Sequence, residues 1–155
     1  MTTFTGILAV LHRTTIDGRR LLEPAPELTR PLPLVLRRVG DYTTAGAITR
    51  VWRDEDLIRY AGTLNSDNPE AETIAAGIRD GKLVGMLDAD GVQQSEYLYQ
   101  GRPVADGEEI PLDATSDDVE VMMRGWRVAA ATLLPPEGKA WPEVSLTLDA
   151  EQPAT

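Results

Sequence analysis

GAITRVWRDEDLIRYAGTL, residues 46–64, holds two runs of strand-forming side chains around one charged break. Gly46–Trp52 and Leu57–Leu64 are rich in β-branched, aromatic and aliphatic residues, whereas Arg53, Asp54, Glu55 and Asp56 between them favour solvent. The most economical reading is an antiparallel hairpin closed by a short charged turn. Upstream, Phe4–Leu11 is a short apolar run ended by the polar turn His12–Gly18, which predicts a buried first strand. Pro24, Pro26, Pro31 and Pro33 each fix the backbone and lack an amide donor, so Leu21–Pro33 reads as an extended connection into a second strand at Leu34–Arg37.

Downstream of the hairpin the spacing predicts one helix. Asn68 can cap it, Pro69 suits its first position, Glu70 and Glu72 sit at its positive end, and Gly81 ends it. Ala71, Ile74, Ala75 and Ile78 form its apolar face. Lys82–Asp88, Val92–Tyr99, Val119–Met123, Trp126–Leu134 and Val144–Leu148 read as further strands separated by Gly, Pro and Asp. Val104–Glu120 holds seven acidic residues and no basic one, which suits a solvated loop. Strands in this excess predict a mainly β (α+β) chain: an antiparallel sheet closed or nearly closed into a barrel, with one or two helices. Residues 1–149 form one domain in this reading, and 150–155 a tail with little to bury.

Composition narrows the function classes. The 155 residues carry a net charge of -10, and a chain of that size can build a core without disulfide or metal staples. The charge is uneven: residues 1–60 hold nine Lys or Arg against seven Asp or Glu, and residues 61–155 hold six against eighteen. Phosphate backbones and anionic membranes repel such a chain, whereas basic protein surfaces attract it. No stretch approaches the ~20 apolar residues of a membrane span, and the N-terminus lacks the pattern of a signal peptide, so synthesis in the cytoplasm is expected.

The residues available for catalysis are few. With no cysteine, thiol chemistry and cysteine zinc sites are excluded, and His12 is the only histidine, placed in a polar turn beside Arg13. A Ser-His-acid triad would have to use it. Ser66, Ser95, Ser116 and Ser145 lie in polar settings, and none occupies a Gly-x-Ser-x-Gly elbow. Asp88 and Asp90 are too few oxygen ligands for a hard cation and suit a strand end before a turn. Glu108-Glu109 and Asp117-Asp118 are adjacent rather than convergent. Gly81 and Gly85 flank a strand without forming a phosphate loop, so neither metal nor cofactor is expected. Trp52, Trp126, Trp141, Tyr42 and Tyr60 suit a core or an interface, and Tyr97 and Tyr99 fall on one side of a strand as a candidate interface.

In order along the chain, several segments resemble the capsid maturation (prohead) serine proteases of tailed phages. Phe4-x-Gly6-x-Leu8-Ala9 and Thr15-x-Asp17-Gly18-Arg19 are similar to that family's opening strand and T-x-D-G-R turn. Pro31-Leu32-Pro33-Leu34 is similar to its L-P-L-P-L segment, and Gly46-Ala47-Ile48 to its V-G-x-I strand. Ala71–Arg79 stands where its helix falls, Lys82–Asp90 resembles G-V-S-V-D-x-D, and Trp126–Leu133, followed by Pro135-Pro136, resembles R-I-x-G-A-T-L-V. The resemblance implies a barrel of the herpesvirus assemblin type.

It also implies lost catalysis. Where the family has its histidine the chain reads Val39-Gly40-Asp41-Tyr42-Thr43-Thr44, and the position of the nucleophilic serine falls on Met86 or, shifted by one, Leu87. Asp41, Tyr42, Met86 and Leu87 are thus degenerate active-site positions, and a triad without nucleophile and base has no mechanism. The expectation is a non-enzymatic pseudo-protease of the virion. It would decorate or cement a capsid, with the phage major capsid protein and copies of itself on the shell as partners. The alternative expectation is a maturation protease or assembly factor that is absent from mature particles.

Overall fold

The computed structural model describes residues 2–15, 18–24, 31–38, 40–90, 94–104 and 119–149. In chain order its elements are β1 (Thr3–Val10), β2 (Arg19–Leu21), β3 (Leu32–Arg38), β4 (Asp41–Asp54), β5 (Leu57–Leu64), α1 (Ala71–Arg79), β6 (Val84–Asp90), β7 (Gln94–Tyr99), β8 (Arg102–Pro103), β9 (Val119–Arg124), β10 (Arg127–Leu134), a 3-10 turn at Pro136–Gly138, and β11 (Ser145–Leu148). The hairpin at its centre is the expected one. β4 and β5 pair antiparallel down to Asp54 opposite Leu57, so only Glu55 and Asp56 turn the chain. Glu55 adopts a φ of 56°, and its carbonyl accepts from Arg53 Nε at 2.8 Å. Along β5, Ile58, Tyr60, Gly62 and Leu64 face the core in strict alternation.

Around this hairpin a seven-stranded sheet runs in the order β11-β1-β5-β4-β3-β10-β6. The mainly β class holds, but the sheet is mixed and open rather than antiparallel and closed. β3 and β10 pair in parallel, with the whole excursion from β4 to β9 supplying the crossover such a pair needs. The sheet curls into a half-barrel whose ends, β6 and β11, share no ladder. Ile74 and Ile78 of α1 lie buried in one cluster with Leu146, Phe4, Leu34, Ile48, Tyr60, Ala131 and Leu133. Curling brings inner faces together tightly. A Cβ at Gly62 would stand 2.0 Å from the Ala47 carbonyl oxygen and 2.8 Å from Phe4 Cζ, so only glycine admits the approach.

α1 begins at Ala71 rather than at Pro69. Asn68 is drawn toward the sheet, its Nδ2 donating to Thr43 Oγ1 at 2.9 Å and to the Thr44 carbonyl at 2.8 Å, while its Oδ1 accepts from the Glu70 amide at 2.8 Å. This turn precedes the helix and fixes its entry. Gly81 ends it as expected, at φ +71°, with the Lys82 amide donating to the Gly77 carbonyl at 2.8 Å.

A second sheet, ordered β2-β9-β7-β8, stands beside the half-barrel. β2 was not expected from the sequence and pairs in parallel with β9. A second cluster joins the two sheets, with Leu11, Leu21, Ile58, Val84, Trp126, Trp141 and Val144 buried and Met123 packed on them. Trp126 Nε1 donates to the Leu22 carbonyl at 3.0 Å and Trp141 Nε1 to the Arg13 carbonyl at 2.9 Å, so both indoles are core anchors. Most of the expected acidic loop, the Asp90-Gly91 turn and the tail lie outside the described residues.

Candidate functional site

Asp41, Tyr42, Met86 and Leu87, the positions singled out from the sequence as degenerate active-site positions, lie on two strands that are not neighbours. Asp41 and Tyr42 open β4 opposite Arg38 and Arg37 of β3, and Tyr42 is 71% exposed. Met86 and Leu87 lie on β6, which pairs with β10, and β10 in turn with β3. The registers place Thr44, Val35, Thr132 and Met86 in one row across β4, β3, β10 and β6. Three strand spacings separate its ends, roughly 14 Å. Measured along the sheet, β3 and β10 stand between the two positions. Leu87 turns inward and packs against both cores, whereas Met86 shares the other side of β6 with Asp88.

Other polar candidates have structural partners. His12 is exposed at the end of β1 with a φ of 63°. Asp88 Oδ2 accepts from Thr132 Oγ1 at 2.7 Å, which ties β6 to β10, and Asp90 faces Arg127 at 3.4 Å. The two carboxylates therefore serve separate cations or hydroxyls. No group of three metal-ligating side chains occurs among the described residues. Ser145 Oγ accepts from the Ile7 amide at 3.4 Å, Ser66 and Ser95 are exposed, and Ser116 lies outside the described residues. Trp52 lies under the Arg50 guanidinium, 4.3 Å from its ring centroid.

The second sheet carries a face that the two cores cover only in part. β7 and β9 place Tyr97 opposite Val121 and Tyr99 opposite Val119. β2 continues the same face, with Arg19 opposite Val121 and Leu21 opposite Met123. At one end of this face Leu21 and Met123 pack into the second core. Toward the other end Val121, Tyr97, Val119 and Tyr99 belong to neither core, and Tyr97 is 50% exposed. The opposite face is also half-covered: Met122 and Leu98 lie there beside the ion pair of Arg20 Nη2 with Glu120 at 3.2 Å. Alternation in the sequence shows that Tyr97 and Tyr99 share a side. Their partners Val121 and Val119 lie 24 and 20 residues further on, and no local pattern pairs them.

Among the described residues the face is tied to the half-barrel through β2, through Met123 of β9 in the second core, and through Thr14 Oγ1, which donates to Glu120 of β9 at 3.4 Å. Arg20 Nε and Nη2 donate to Thr14 Oγ1 at 3.1 and 3.0 Å, bridging the second sheet to the turn after β1. Compared with known protein families, curated proteins and solved structures, the chain matches none. No helix among the described residues is long and apolar enough to cross a membrane.

Proposed function

We propose that this chain is a non-enzymatic binding protein of a phage capsid, a decoration, cement or minor capsid protein built on an inactivated prohead-protease barrel. The observation that carries the binding reading is the β7–β9 face, where Tyr97, Tyr99, Val119 and Val121 form an apolar surface that neither core uses. Aromatic side chains of this kind bury a large area with little loss of rotamer freedom, which suits the centre of a protein interface. The segments quoted from the sequence supply the partner, a major capsid protein shell, and the half-barrel is then an assemblin-type barrel that has lost its closure. Met86 and Leu87 in place of a serine, and the separation of β6 from the start of β4, support loss of cleavage. On a symmetric shell even weak contacts at this face would be multiplied.

Quantitative mass spectrometry of purified mature particles tests the reading. Intact chain at a fixed stoichiometry to the major capsid protein is the expected result. Near absence from mature particles, with abundance in proheads, would return the chain to an assembly-stage role.

A further inference from the structure

A groove of about 790 Å³ lies between the end of α1, at Ile78, Arg79 and Gly81, and β11 from Leu146 to Asp149. β11 is an end strand of the seven-stranded sheet. On its inner side the Asp149 amide donates to the Thr3 carbonyl at 3.0 Å, and Thr147 and Ser145 stand opposite Thr5 and Ile7. Antiparallel ladders bond alternate residues, so the amides and carbonyls of Leu146 and Leu148 point away from β1, into the groove. A strand repeat measures ~3.4 Å along, ~4.8 Å across and ~10 Å through the sheet, which makes a four-residue strand about 650 Å³. The groove thus has room for a short extended segment.

We propose that this groove takes an extended, basic peptide segment of a partner, added as an eighth strand to the edge of β11. The side chains around it specify alternation. Leu146 and Leu148 face the core side beside Ile78, so peptide residues opposite them are apolar. Ser145, Thr147 and Asp149 face the other side, where β1 contributes Thr3, Thr5 and Ile7 and no charge. The Asp149 carboxylate accepts from Thr3 Oγ1 at 2.6 Å and Thr5 Oγ1 at 3.3 Å, two of the roughly four positions a carboxylate offers. With the chain's net charge of -10, this favours Lys or Arg at the peptide positions on that side. Arg79 stands on the helix wall of the same groove, so the preference rests on Asp149 and on the net charge of the chain as a whole. A second copy of this chain fits poorly, because its β11 has β1 bonded behind it and α1 closes the far side of the groove. The site is separate from the β7–β9 face and stands or falls independently of the capsid reading.

The experiment uses the full chain and three synthetic ten-residue peptides: alternating valine and lysine, the same with glutamate for lysine, and the first with its central amides N-methylated. Amide exchange followed by NMR is the readout. In the free chain the Leu146 and Leu148 amides exchange faster than those of Thr147 and Ser145. The lysine peptide slows both by about tenfold or more, the glutamate peptide binds at least about threefold more weakly, and N-methylation abolishes protection. Asp149→Asn narrows the preference between the two charged peptides while leaving the ladder intact. Equal binding of the N-methylated peptide, or no protection at Leu146 and Leu148, overturns the proposal. So does protection of these amides in the free chain that is lost on removing residues 150–155 or on dilution, which would assign the edge to the chain's own tail or to a second copy.

Discussion

The half-barrel and the second sheet bury their side chains in opposite ways. In the half-barrel, inner positions are filled so closely that glycines are required where strands approach, and Phe4, Leu8, Leu34, Ile48 and Tyr60 are fully enclosed. In the second sheet most side chains of β9 are half-covered and Tyr97 stands half in solvent. The same alternation of strand side chains therefore yields a filled interior in one place and two part-covered faces in the other. The second sheet gives Leu21 and Met123 to the second core, whereas Tyr97, Tyr99, Val119 and Val121 belong to neither core, so substitutions among these four should cost the fold little. Substitutions should separate the two regions sharply in stability, and each of the following can break that contrast.

Gly62→Ala should have the largest effect. Its new Cβ would meet the backbone of Ala47 rather than the tip of a flexible side chain, so β4 or β5 has to move. A loss of about 3 kcal/mol is expected in urea unfolding, at the upper end for overpacking. A loss below about 1 kcal/mol would mean the curl of the sheet is softer than the packing implies. Gly85→Ala comes next, at about 2 kcal/mol. Here the obstacle is Tyr60 Oη, 2.2 Å from the added carbon, with Cζ farther away at 3.1 Å. Combining it with Tyr60→Phe should recover most of the loss, a coupling that independent sites would not give.

How much of this was legible in the sequence depends on the range of the contacts. The hairpin of residues 46–64, the first strand and the apolar face of α1 follow from local alternation and spacing. β2 does not, because three residues carry no period and its partner β9 lies about a hundred residues away. The start of α1 differs for a related reason: Asn68 Oδ1 accepts from the Glu70 amide as a cap would, but its Nδ2 is tied across the fold to Thr43 and Thr44, and the regular helix begins only at Ala71. Openness of the barrel is likewise a property of β6 and β11 together, with α1 packed beside them. Of the candidate residues, Tyr97 and Tyr99 share a face as their spacing predicts, whereas Tyr42 and Met86 lie on strands with β3 and β10 between them.

Tyr60 gives a smaller effect with its own pH signature. The ring packs edge-on to Phe4 at 5.6 Å, and its hydroxyl has no hydrogen-bond partner among the described residues. Leaving a buried hydroxyl unpaired costs about 1–3 kcal/mol, so Tyr60→Phe alone should stabilise by about 1 kcal/mol. Burial pushes the Tyr60 phenol well above its ordinary value near 10. Between the two values the unfolded chain has released a proton that the folded chain retains, so stability is intact below about pH 10 and falls as pH rises beyond it. Tyr60→Phe should flatten that alkaline decline. An unchanged decline would show that another group governs it.

The smallest effect on stability is expected at Tyr97, where Tyr97→Ala should cost less than about 0.5 kcal/mol, as at other exposed positions. Tyr97 stands opposite Val121, on its other side the Val104 amide donates to its carbonyl at 2.9 Å, and neither Tyr97 nor Val121 belongs to a core cluster. If the β7–β9 face is the main interface, the same substitution should reduce occupancy on capsids in a co-sedimentation assay while the urea midpoint stays in place. Loss of both together would place Tyr97 in the fold's own support, and the second sheet would then resemble the half-barrel after all. Retained occupancy with unchanged stability would move the interface away from this face. The contrast between the sheets is thus tested most directly where the expected change in stability is least, because only there does a change in binding have no folding explanation.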